Sequence, residues 1–105
     1  MRATAWNNGA QHASGAGYGL KVQVKDRDRY FDQAWTEIVL EIPGRGRVRV
    51  PLAESFWRRC TELRSAEVGR WLRASGRAPW SKGYPPTFRL EHVTGNVFRV
   101  EDPSR

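Results

Sequence analysis

Sulfur and imidazole are scarce in this chain. Cys60 is its one cysteine, Met1 its one methionine, and His12 and His92 its two histidines, in 105 residues. A single thiol makes neither an internal disulfide nor a cysteine-based zinc cage, which excludes a secreted disulfide mini-protein and a zinc ribbon. Long hydrophobic runs are missing too. None approaches the ~20 residues of a membrane span, and no charged-then-apolar leader opens the chain. Residues 1–17 contain no valine, isoleucine or leucine, so they read as a flexible N-terminal arm. These absences leave a soluble, cytoplasmic protein with no membrane partner.

What is present suffices for one core. Hydrophobic residues make up 39% and aromatic residues 11% of the chain, including five tryptophans. The length fits one domain, since domains cluster near ~100–150 residues. The expected organisation is an arm over 1–17, one α+β domain over 18–102 and a C-terminal tail over 103–105. Gly15-Ala16-Gly17-Tyr18-Gly19 looks like a nucleotide-binding glycine loop. It precedes a strand instead of following one, so the dinucleotide reading is rejected.

Residues 20–24 alternate, with Leu20, Val22 and Val24 on one face, and predict a half-buried strand. Asp26 to Asp32 reads as a helical turn capped by Asp26, with Tyr30 and Phe31 folding back on the sheet. Residues 35–42 and 47–52 form a hairpin around Pro43-Gly44-Arg45-Gly46. Uniting its apolar faces requires paired residue numbers summing to 88 or 90, which sets Glu41 against Arg47 or Arg49. Residues 53–60 suggest a short helix, and a second is marked by Ser65 as N-cap and Gly76 after its end. A break near Thr61–Ser65 separates the two. A last hairpin pairs Val93 with Val97 around Thr94-Gly95-Asn96, with Asn96 left-handed. It sets Leu90 opposite Val100, Arg89 opposite Glu101 and Glu91 opposite Arg99. The order β-α-β-β-α-α-β-β implies an α+β fold: a mainly antiparallel sheet of about five strands, curled into a half-barrel, with two or three short helices.

Charge carries the one functional lean. The net charge is +7, from 18 basic and 11 acidic residues, and fifteen of the cations are arginine. Residues 43–90 carry a net +8, whereas residues 1–42 sum to zero and 91–105 to −1. Arginine forks onto phosphate and stacks on rings. Arg70, Arg73 and Arg77 fall on one helical stripe, Arg58 and Arg59 crown the preceding helix, and Arg45 sits at a hairpin tip. Trp80, Lys82 and Tyr84 follow in an irregular loop. Cations that track phosphates beside rings that stack on bases make a nucleic-acid site.

The favoured reading is a small, non-enzymatic basic protein contacting nucleic acid through residues 45–84, at Arg45, Arg58, Arg59, Arg70, Arg73, Arg77, Trp80, Lys82 and Tyr84. The alternative is a protein–protein interaction or homodimerisation module with an acidic partner, because tryptophan and arginine dominate binding hot spots. A small phosphodiesterase or ribonuclease comes third, since general acid–base work would fall to His12 and His92, one in the arm and one on the inward face of a hairpin. Asp26, Asp28 and Asp32, interleaved with Arg27 and Arg29, read as a salt-paired turn, not a metal site. Cys60 reads as a core thiol. No catalytic residue, cofactor or metal is expected.

Overall fold

A computed structural model describes residues 1–10 and 12–102. The strands are β1 (Arg2–Asn7), β2 (Tyr18–Val22), β3 (Glu37–Ile42), β4 (Gly46–Pro51), β5 (Glu62–Arg64), β6 (Thr87–Thr94) and β7 (Val97–Glu101). Helix α1 spans Val24–Tyr30, α2 spans Ala66–Ala74, and a 3-10 turn covers Glu54–Trp57. The strands form one sheet in the order β4-β3-β7-β6-β1-β2-β5. Its two edges, β4 and β5, approach each other, so the sheet curls nearly into a barrel. No helix among the described residues is long and apolar enough to cross a membrane.

The α+β class stands, but the sheet has seven strands where about five are expected, and it is mixed. β3 and β7 run parallel while the other neighbours are antiparallel. The parallel pair arises because the chain leaves the β3–β4 hairpin, crosses the barrel through β5 and α2, and returns with β7 pointing along β3.

The largest departure lies in residues 1–17. The segment expected as an arm supplies β1, which sits between β6 and β2 in the middle of the sheet. Ala3 and Ala5 point inward and are buried, facing the larger Phe88, Val22 and Leu20 across the strands. A strand with small inward residues needs no valine or leucine where its neighbours fill the volume. The missed signal is the period-2 alternation of Arg2, Ala3, Thr4, Ala5 and Trp6. The expected break at Thr61–Ser65 contains β5, three residues whose one buried apolar side chain is Leu63. Residues 103–105 lie outside the described residues.

The β3–β4 hairpin takes the 88 register, with Ile38 opposite Val50 and Leu40 opposite Val48. β6 and β7 pair Leu90 with Val100 and His92 with Phe98, but a bulge replaces the Val93–Val97 pair by Thr94–Val97. Gly95, not Asn96, takes the positive φ of that turn, as the residue without a Cβ does at least cost. His92 is exposed rather than inward, its Nε2 lying 2.7 Å from the Gly95 oxygen. Asp26 lies inside the first turn of α1, whose N-cap is Gln23. Val24 leaves β2 and is exposed.

Two ring clusters fill the ends of the barrel. Phe31 stacks on Phe98 at 4.8 Å and meets Phe56 and Trp35. At the other end Trp71 of α2 packs on Phe88 at 5.0 Å, and Tyr18 meets Trp80 at 6.0 Å. Ser65 caps α2, its Oγ accepting from the Val68 amide at 3.3 Å. α2 lies close enough to the 8–17 loop that Gly69 and Gly15 touch backbone to backbone.

Candidate functional site

The arginines expected to form a contact surface are largely engaged within the protein. Arg45 Nη1 reaches Glu67 Oε2 at 3.4 Å, tying the β3–β4 tip to α2. Glu67 also holds Arg70, whose Nη1 donates to the Ser14 oxygen at 2.8 Å. Arg73 donates to the Tyr18 hydroxyl at 3.4 Å. Arg77 pairs with Asp102 and lies over the Phe88 ring. Arg58 pairs with Glu54. Arg45 and Arg77 share one recess with Trp71 and Asp102, at the end of the barrel that α2 covers. Arg58 and Arg59 line another with Cys60, which is half-buried. The two groups stand at opposite ends of β2, whose Tyr18 end meets Ser65 and whose Val22 end meets Thr61. Trp80 is half-buried against Tyr18, while Lys82 and Tyr84 are exposed on the 75–86 loop.

Glu67 is held below its ordinary value first by its hydrogen bond to Arg70; burial opposes this, and the charge of Arg70 with the hydrogen bond and charge of Arg45 add to the lowering. It therefore remains a carboxylate that both arginines share, one negative charge against two positive ones.

A different set of cations remains open. Arg2, Lys21, Lys25 and Arg59 line a groove of about 670 Å³, together with Thr4, Val22, Gln23, Val24 and Thr61. All four cations are exposed. Among the described residues nine arginines form ion pairs. None of these four belongs to that group, and among the described residues no carboxylate lines the groove.

The fold fixes each side chain. Arg2 and Thr4 point outward from β1, and Lys21 points outward from β2 opposite Thr4. Lys25 lies in the first turn of α1. Glu62 faces Lys21 from β5, but its largely buried carboxylate turns to Arg64 at 3.4 Å. Arg59 is held through its neighbours: Arg27, buried beneath the 3-10 turn, donates from Nη1 to the Phe56 oxygen at 2.9 Å and to the Arg58 oxygen at 3.4 Å. Arg89 on β6 stands opposite Arg2 on one side and opposite Glu101 on the other, and its charge acts on Glu91 and Glu101.

Arg59 is the single residue shared by the expected set and the groove. Arg2, Lys21 and Lys25 belong to residues 1–42, the stretch with no net charge. Its Glu37 and Glu41 face elsewhere, pairing with Arg49 at 2.8 Å, Arg47 at 3.0 Å and Arg99 at 3.2 Å.

All five tryptophans have partners inside the molecule. Trp6 lies under the Arg64 guanidinium at 4.9 Å, Trp35 and Trp57 join the Phe31 cluster, and Trp71 and Trp80 pack as above. No family model, curated protein or solved structure matches the chain.

Proposed function

We propose that this protein binds nucleic acid through the groove of Arg2, Lys21, Lys25 and Arg59. One observation supports this reading most: cations from β1, β2, α1 and the turn after Trp57 converge on one recess with no carboxylate among its described lining residues. Clustered like charges repel and raise the energy of the free fold. A row of phosphates supplies the missing counter-charge and releases its own condensed ions to solvent. The tryptophans offer less to a protein partner, since each already packs against a partner within the fold and none is fully exposed.

The test is binding of a labelled oligonucleotide by fluorescence anisotropy across a salt series. Affinity should fall linearly on a log–log plot. Lys21→Glu with Lys25→Glu should weaken binding by roughly tenfold or more and flatten the salt slope by about one unit per cation removed. Arg70→Glu, on the α2 face, should leave both nearly unchanged. Equal binding by wild type and the lysine double variant defeats the proposal.

A further inference from the structure

Resting on that reading, we infer that the groove takes a duplex, seating the sugar–phosphate backbone and leaving the bases unread. Two features of the groove carry this inference.

The first is the absence of rings. Unstacked single strands gain ~1–3 kcal/mol per base from aromatic platforms, and that gain offsets the cost of ordering a flexible chain. No aromatic side chain lines the groove among the described residues. Trp6 shares the outward face of β1 with Arg2 and Thr4, but the Arg64 guanidinium covers it at 4.9 Å. Tyr84 is the most open ring, at 79% exposure. The register Thr4–Thr87 carries it back toward the Asn7 end of β1, away from Arg2. At ~3.3 Å per residue the separation is on the order of 15 Å.

The second is the recess itself. Base edges lie at the floor of a major groove ~8.5 Å deep, reached by an element that protrudes. Here the cations line a hollow walled by Thr4, Val22, Val24 and Thr61. A hollow accepts a projecting phosphate ridge and keeps the base edges out of reach. The cations also stand on β1, β2, α1 and a turn anchored by Arg27, so they are placed before binding. A duplex presents phosphates equally fixed and at higher charge density than a single strand, and counter-ion release is correspondingly greater, at about 0.9 against about 0.7 ions per contact.

The experiment competes four unlabelled species against a labelled duplex on the full chain: duplex DNA, duplex RNA, a single strand of the same sequence and length, and inorganic polyphosphate. Duplexes of unrelated sequence should compete within roughly twofold of one another, and the single strand at least about tenfold more weakly. Tyr84→Ala should bind the duplex as wild type does. A single strand that competes equally, a Tyr84→Ala variant that loses affinity, or polyphosphate that matches the duplex charge for charge overturns the duplex assignment while the groove keeps its role. Failure of every oligonucleotide to bind removes the underlying reading as well.

Discussion

Arg2 and Arg89 stand directly opposite each other on neighbouring antiparallel strands. Like charges in that position destabilise a sheet, by roughly 0.2–1 kcal/mol per pair. Arg2→Thr should therefore leave stability unchanged or raise it by about that amount, as read in urea denaturation, while weakening oligonucleotide binding. A variant that loses stability would mean Arg2 serves the fold instead of a ligand.

Arg27 sets up a second prediction. Its guanidinium is nearly buried, donates to the Phe56 carbonyl of the 3-10 turn and to that of Arg58 just after it, and pairs with Asp28 at 3.0 Å. Arg27→Met keeps most of the volume but leaves the Phe56 oxygen without its donor, at a cost of about 1.5–3 kcal/mol. Arg27→Lys should recover little, because a point charge does not reproduce the planar fork. Denaturant melts of both variants decide this.

Gly69 tests packing against propensity. Alanine is favoured over glycine inside a helix by about 1 kcal/mol. A Cβ there would overlap the carbonyl of Gly15, a backbone group with no rotamer to move. Gly69→Ala should thus destabilise by about 1–3 kcal/mol, opposite in sign to propensity. A thermal melt at or above the wild-type midpoint would refute close contact between the 8–17 loop and α2.

Glu91 and Glu101 give a pH signature. Their hydrogen bond holds Glu101 above its ordinary value, aided by burial and the Glu91 charge, and holds Glu91 below it. The raised group favours the fold below the ordinary carboxylate value of 4.5, and that favour is lost as pH rises through its folded value. The lowered Glu91 contributes above 4.5 and loses its contribution as pH falls. Glu101→Gln cannot ionise, so its melting temperature should equal wild type near pH 3 and exceed it increasingly above 4.5. A constant difference across pH 3–8 would contradict the shared proton.

The elements legible in the sequence are those whose signals are local. The Ser65 cap, the 88 register of β3–β4 and the Leu90–Val100 pairing each follow from residues a few positions apart. β1 was hidden because Ala3 and Ala5 derive their burial from Phe88 and Leu20, which only the folded chain brings near. Charge behaved likewise. Counting by segment placed the open cations in 43–90, but Glu37 and Glu41 leave their own segment to neutralise arginines of β4 and β7. That exchange leaves Lys21 and Lys25 open and pairs Arg47 and Arg49 of the middle segment, whereas Arg59 of that same segment joins the groove. Even the Glu91–Arg99 opposition, read correctly, does not set the contact: Arg99 Nε turns to Glu41 at 3.2 Å.

The position of β1 bears on how the polypeptide folds. Its seam with β6 sets Ala3 against Phe88, so the pairing joins two segments far apart in the sequence. That interior seam cannot close until the distant segments meet. Such sequence-distant closure slows folding, and until it happens β1 and β6 present unpaired edges to each other and to other chains.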